Sequence, residues 1–200
     1  MKIIGLTGGI ASGKSTAAEI LNEQGAVVID TDQLAHRIME PGEPAWQDIV
    51  AHFGQDILNN DGSIDRGALG AIVFADAQQL QQLNRITHPR AGERLQQELE
   101  ALRRSGRQLV FIEAALMYET GMDRLCSEIW VVWVDQINQR QRLMERNGFS
   151  PEEAQQRIAA QMSLDEKARR ADLVIDNNAD LLQLRKQVEV AYRELLSRIE

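Results

Sequence analysis

One cysteine, Cys126, stands among the 200 residues. A lone thiol excludes an internal disulfide framework and a cysteine-rich zinc site, and Cys126 reads as a small buried hydrophobe rather than a nucleophile. The three histidines, His36, His52 and His88, share no spacing that would gather a metal. Long apolar runs are missing too. The longest, IWVVWV from Ile129 to Val134, is far too short to span a bilayer. Basic charge is in the minority, 22 lysines and arginines against 30 acids, for a net charge of −8. That balance argues against a dedicated nucleic-acid binder, which needs basic surface for phosphates. No internal repeat or low-complexity stretch occurs. A strand-like run begins at residue 2, which leaves no room for a signal peptide. A reduced, cytoplasmic protein of one well-buried domain is expected, with no membrane partner.

What the chain does have is GGIASGKST, Gly8 to Thr16, directly after KIIGLT. Gly8, Gly13, Lys14 and Ser15 match the phosphate-loop spacing, two glycines with four residues between them followed by Lys and Ser/Thr. The context also fits: Lys2 to Thr7 reads as a strand, and KSTAAEILNEQG as a helix with Ala17, Ala18 and Leu21 inward. Glycines let backbone N–H groups converge on an anion with no Cβ in the way. The helix N-terminus adds free N–H donors and partial positive charge. Gly8, Gly9, Ala11, Ser12, Gly13, Lys14, Ser15 and Thr16 are therefore candidate nucleotide-binding residues. Lys14, read as an exposed loop cation, would reach the β- and γ-phosphates, and Ser15 would hold Mg²⁺.

Four further apolar runs, Ala26–Asp30, Leu109–Ala114, Ile129–Asp135 and Leu173–Asn177, end in acids or polar residues. Runs of this kind suit parallel strands buried on both faces. With the first strand they predict an α/β fold, a five-stranded parallel sheet with helices on both faces. The glycine loop, Asp30–Asp32, Glu113 and Asn177 fall at strand C-terminal ends, where open parallel sheets bind ligands. From Asp180 to Glu200, Leu181, Leu184, Val188, Ala191, Leu195 and Ile199 form the stripe of a covering helix.

Two helical segments exceed a minimal sheet. Residues 31–107 carry no strand-like run and are punctuated by PGEP, NNDG and THP, each read as a break between helices; they are expected to form a substrate wall. Residues 136–171 hold seven basic and five acidic side chains, a net +2 in an acidic chain. Their centre, RNGFSPEE, reads as a hinge, with Gly148 as helix stop and Ser150–Pro151 as N-cap and first turn. An arginine-bearing flap over a triphosphate and a solvated hairpin with ordinary ion pairs both fit this charge pattern.

The chain closely resembles the dephospho-coenzyme A kinases, of the nucleoside-monophosphate-kinase-like branch of phosphate-loop proteins. The matching segments run nearly end to end: IGLTGGIASGKST, VIDTDQLAH, EPGEPAWQDIVAHFG, DGSIDRGALGAIVF, HP, RNGFSPEEAQQRIAAQM and EKARRADLVIDNN. Departures are small: Thr31 stands where the family usually has alanine, and Ala115 where it commonly has proline. The resemblance implies transfer of the ATP γ-phosphoryl group to the ribose 3′-hydroxyl of dephospho-CoA, with Mg²⁺. It implies a core of about 1–30, 108–135 and 172–200, a CoA-binding insertion over about 31–107, and a lid over about 136–171. Arg66 and His88 become candidate substrate contacts, as do Glu113 and Arg157. Arg142, Arg146 and Arg157 become candidate lid residues, with Arg142 on ATP and Arg146 catalytic beside Lys14. Asn177 falls near the adenine. No oligomer is predicted, and a monomer is assumed.

Some alternatives stay open on the residues alone. Arg66 pairs equally well with Asp65 or Asp61, His88 with a bend at Pro89, and Glu113 with a nearby cation or a hydrated Mg²⁺. Asp32, just past the second strand, is the candidate catalytic base, yet it also suits the N-cap of the helix QLAHRIM. A kinase for another small metabolite, a GTP-binding switch and a non-catalytic nucleotide binder are the competing functions. The switch lacks support, since VDQINQ and DNNAD contain no Asn-Lys-x-Asp segment.

Overall fold

Strands β1 (Lys2–Gly8), β2 (Val28–Asp30), β3 (Leu109–Glu113), β4 (Glu128–Trp133) and β5 (Leu173–Asp176) form one sheet in the order β2-β3-β1-β4-β5. Every pairing is parallel, as the apolar runs require. The computed structural model describes residues 1–199. Register sets the working edge of the sheet: Glu113 lies opposite both Leu6 of β1 and Asp30 of β2. The strand ends that carry the phosphate loop and the acids are therefore level.

Helices α1 (Lys14–Glu23) and α10 (Leu181–Ser197) cover one face. Ile4, Leu6, Phe111, Trp130, Val132 and Ile175 point to that face and pack with Ala17, Ile20, Leu21, Leu184, Val188 and Leu195. Phe111 and Trp130 meet edge to face, ring centres 5.2 Å apart, a geometry worth about 0.5–1.5 kcal/mol beyond burial. Short α6 (Met117–Thr120) places Met117, fully buried, against Gly5 of β1. Leu181 departs from the expected stripe: as the first residue of α10 it is 58% exposed, because the helix begins there, ahead of its packed turn at Leu184.

The chain divides into two compact units, Met1–Asp30 with Arg107–Glu200, and Thr31–Gly106. The second is helical: α2 (Thr31–Arg37), α3 (Pro44–Phe53), α4 (Arg66–Ala75) and α5 (Ala77–Arg104). Its core gathers Leu34, Ile38, Ile49, Ile57, Leu69, Val73, Leu95 and Leu99. α5 is its spine, tied to α2 by Arg37–Glu98 (3.2 Å) and to α3 by an Arg90–Asp48 ion pair. The expected break at THP does not occur. α5 runs unbroken through Pro89, where a missing N–H ordinarily interrupts a helix. Beside it, Thr87 Oγ1 donates to Leu83 O (2.9 Å) and Arg90 donates to Ile86 O (2.9 Å), while the carbonyl that loses its helix donor is that of Arg85.

Three more helices in the first unit, α7 (Gln136–Asn147), α8 (Pro151–Ala159) and α9 (Leu164–Arg170), complete the architecture. The α7–α8 corner is built as the residues dictate. Gly148 ends α7 at φ +68°, and Ser150 begins α8 with a full capping box to Glu153. Among the described residues no helix is long and apolar enough to cross a membrane.

Candidate active site

Between Gly8, the end of β1, and Lys14, the start of α1, the backbone curls into the cradle that the glycine spacing demands. Gly13 caps α1 at φ +92° with no side chain on the helix end, so the first-turn N–H groups are left to a ligand. Ala11 adopts φ +59°, a left-handed conformation that costs a non-glycine residue about 1–3 kcal/mol and concentrates at ligand clamps.

Lys14 is not the exposed loop cation expected. It belongs to α1, is buried, and forms an ion pair with Glu113 Oε1. The hydroxyl of Ser15 donates to that same oxygen at 3.0 Å. Glu113 ends β3 directly beside β1, so the sheet itself brings the acid under the loop. Ser12 is fully buried, and its hydroxyl has no hydrogen-bond partner among the described residues.

Asn177 follows β5 and donates from Nδ2 to Ser12 O at 2.7 Å, bracing the loop from beneath. It also lines a cleft of about 580 Å³ with Ala11, Gly13, Thr16, Arg142 and Arg146. The two arginines sit one helical turn apart on α7, so both line one opening; Arg146 Nε donates to Asn147 Oδ1 (2.8 Å). Leu181 and Leu184 give its far margin an apolar character. Arg157 is not among those lining residues; its guanidinium lies over the Phe149 ring, 3.8 Å from the centroid.

Lys167, one of the seven basic residues of 136–171, is fully buried. Its Nζ donates to Gly8 O (3.3 Å) and Ala115 O (2.5 Å) and pairs with Glu119 (3.0 Å). Burial pulls the Lys167 ammonium below its ordinary range, while Glu119 works the other way. Arg169 and Arg170 match the ordinary reading, pairing with Glu166 on α9. Cys126 is half-buried and pushed up to about 12, first by burial and then by Asp123, which suits no nucleophile.

Compared with known proteins, the chain matches the family described as Dephospho-CoA kinase over residues 2–183. The chain belongs to the dephospho-CoA kinase family. A dephospho-CoA kinase of Symbiobacterium thermophilum is 53% identical over 96% of this chain and 81% of that protein. A crystal structure from Thermus thermophilus superposes with a TM-score of 0.81 at 34% identity, covering 100% of this chain and 98% of the other. A dephospho-CoA kinase from Campylobacter jejuni gives 0.75 at 29% identity, with 98% of each chain covered.

The family's remaining candidate residues lie in the helical unit. Arg66 opens α4 and lines a cavity of about 290 Å³ with Ile64, Leu69, Leu80 and Leu83. Its suggested partners are engaged elsewhere: Asp65 caps α4 through Gly67 N and Ala68 N, and Asp61 accepts from Ser63. His88 is exposed on α5 and marks no bend. Asp32 is the second residue of α2, inside its first turn rather than ahead of it, so it does not hold the N-cap position considered from sequence.

The residues that sequence reasoning missed are Lys167, Gln139 and Gln161. Each reaches the loop's backbone from far along the chain, and a polar side chain bound for a distant main-chain atom leaves no periodic trace.

Proposed function

We propose that the chain transfers the γ-phosphoryl group of ATP to the ribose 3′-hydroxyl of dephospho-CoA, giving CoA and ADP. The observation that carries the reaction class is the cleft in which the glycine loop meets Arg142 and Arg146; family membership supplies the acceptor. Phosphoryl transfer asks a protein mainly for positioning and charge neutralisation. The loop N–H groups and Lys14 take the phosphates. Arg142 and Arg146 face the transferring group, and the apolar margin at Leu181 and Leu184 accepts the base. The acceptor oxygen bonds to the γ-phosphorus as the bond to the β-phosphate oxygen breaks, and the hydroxyl proton passes to Asp32.

Mg²⁺ suits the donors present. Ser15 Oγ and the Glu113 carboxylate are hard oxygen ligands 3.0 Å apart. Among the described residues no group of three acidic, histidine or cysteine side chains gathers to hold a metal by itself. Mg²⁺ typically binds through few protein oxygens together with substrate phosphates, so Ser15 would hold it, supplying charge neutralisation. We assign dephospho-CoA recognition to the helical unit, with Arg66 and His88 as contacts, and the lid to 136–171, with Arg157 as its outer arginine. A monomer working in the cytoplasm completes the reading.

Coupled ADP release with ATP and Mg²⁺, run with and without dephospho-CoA, tests this. ADP should form only with the acceptor, and mass spectrometry should find one phosphate added at the 3′ position. Phosphorylation of a different alcohol with no CoA formed would overturn it.

A further inference from the structure

Ile10 stands in the middle of the phosphate loop, and both of its backbone groups are held by side-chain amides. Gln139 of α7 donates from Nε2 to Ile10 O at 2.9 Å. Gln161, just past α8, accepts from Ile10 N through Oε1 at 2.9 Å. The polarity of each amide is unambiguous, because a backbone N–H only donates and a carbonyl only accepts. Gln139 is buried, and a Cβ on Gly9 would lie 2.7 Å from its Nε2 and 3.2 Å from Leu164. Gly9 therefore leaves the passage through which Gln139 reaches the loop.

Gln139, Arg142 and Arg146 follow one another at spacings of three and four on α7 and share one face. Whatever fixes Gln139 to the loop also fixes the rotation of that face. The helix start is fixed as well: Asp135 accepts from Ile137 N and Asn138 N. We propose that Gln139 and Gln161 are positioning residues, clasping Ile10 from two sides so that Arg142 and Arg146 are held over the phosphate cradle. The clasp also takes the Ile10 N–H out of anion binding, so the cradle begins at Ala11. This rests on the reading that the two arginines serve the phosphates of ATP.

The chemistry supplies a discriminating set of variants. Gln139→Met and Gln161→Met keep the volume but neither donate nor accept. Gln161→Glu keeps the acceptor that Ile10 N–H needs. Misplacement of a catalytic group by about 1 Å costs up to about a hundredfold in rate. Each Met variant should lose about tenfold to a hundredfold in kcat, with the melting temperature little changed. Gln161→Glu should hold kcat within a few-fold, while its added charge raises KM for ATP. The decisive measurement is a cycle with Arg146→Ala. If Gln139 acts through the arginine, Arg146→Ala should cost far less in the Gln139→Met background than alone.

The same cycle read on the Kd for ATP without acceptor separates the two readings. Wild-type protein that makes no CoA defeats the proposed reaction, yet the clasp is still judged on nucleotide affinity. Wild-type kcat and Kd in both Met variants, or losses that simply multiply in the cycle, would overturn the clasp. So would loss of the folding transition in both Met variants, which would make the amides purely structural.

Discussion

Lys14 and Glu113 form a buried ion pair at the floor of the phosphate loop, and Ser15 binds the same carboxylate oxygen. Two consecutive residues at the start of α1 are thereby tied to one acid on the strand beside β1. The pair makes Lys14 structural as well as electrostatic. Lys14→Ala removes a cation from the transferring phosphoryl group, a loss of about a hundredfold to a thousandfold in kcat. It also leaves Glu113 short of its cation. Breaking a buried pair costs about 3 kcal/mol or more, so the melting temperature should fall by about 6–12 °C. Adding Glu113→Gln should restore much of that temperature, because no buried charge is left, while turnover stays low. Calorimetry and ADP release on both variants check this; unchanged stability in Lys14→Ala would sink the structural half.

The sheet is legible in the sequence because four of its strands lie in apolar runs closed by polar residues, as in LVFIE and LVID. The loop is legible because its glycines obey a geometric rule that leaves few alternatives. Elsewhere a local rule is outvoted by tertiary context. Pro89 promises a break, but α5 is tied to α2 and α3 by Arg37–Glu98 and Arg90–Asp48, and the helix continues. Lys167 sits in a charged run, EKARR, in a segment that fits a flap and a solvated hairpin alike, yet its partners include main-chain carbonyls at positions 8 and 115. Nothing in spacing distinguishes it from Arg169 and Arg170.

Lys167 carries the next prediction. Lys167→Met leaves two carbonyls and Glu119 without their cation. Breaking such a pair costs about 3 kcal/mol, or about 6–12 °C in melting temperature. The pH dependence has a definite sign. Burial lowers the folded-state value of Lys167 from 10.5, so between the lowered value and 10.5 the unfolded chain binds more protons than the folded one. Wild-type stability gains from this group as pH rises through that window and loses it on descent. The gap between wild type and Lys167→Met, followed by urea unfolding, should therefore widen toward pH 10.5. A gap independent of pH would mean that burial does not perturb the lysine.

The lid reading makes a regional prediction. The clasp already holds α7 to the loop, whereas Arg157 rests on Phe149 beyond the Gly148 corner. A ligand moves a segment only through contacts that differ between its states. Hydrogen exchange with ATP and dephospho-CoA bound should slow most over residues 148–160, and less over 136–147. Equal exchange with and without saturating ligands across 148–160 would return Arg157 to a surface stacking role.

Asp32 is the sharpest test of the mechanism. It lies in the first turn of α2, two residues beyond Asp30 at the end of β2. A carboxylate at a helix start is favoured by the dipole by about 0.3–1 kcal/mol, so its identity there has a structural explanation as well as a chemical one. Asparagine separates them. It keeps the size and hydrogen-bonding shape of the side chain, but it accepts no proton from a hydroxyl. A structural role predicts a melting temperature lower by about 1–4 °C and turnover within a few-fold of wild type. A general base predicts the same small thermal change with kcat down by about 10²–10⁴-fold and ATP affinity intact. We expect the second pattern in Asp32→Asn, measured by coupled ADP release at saturating ATP and dephospho-CoA. Turnover that stays within a few-fold would leave Asp32 as a helix-start charge and send the search for the base to other acids.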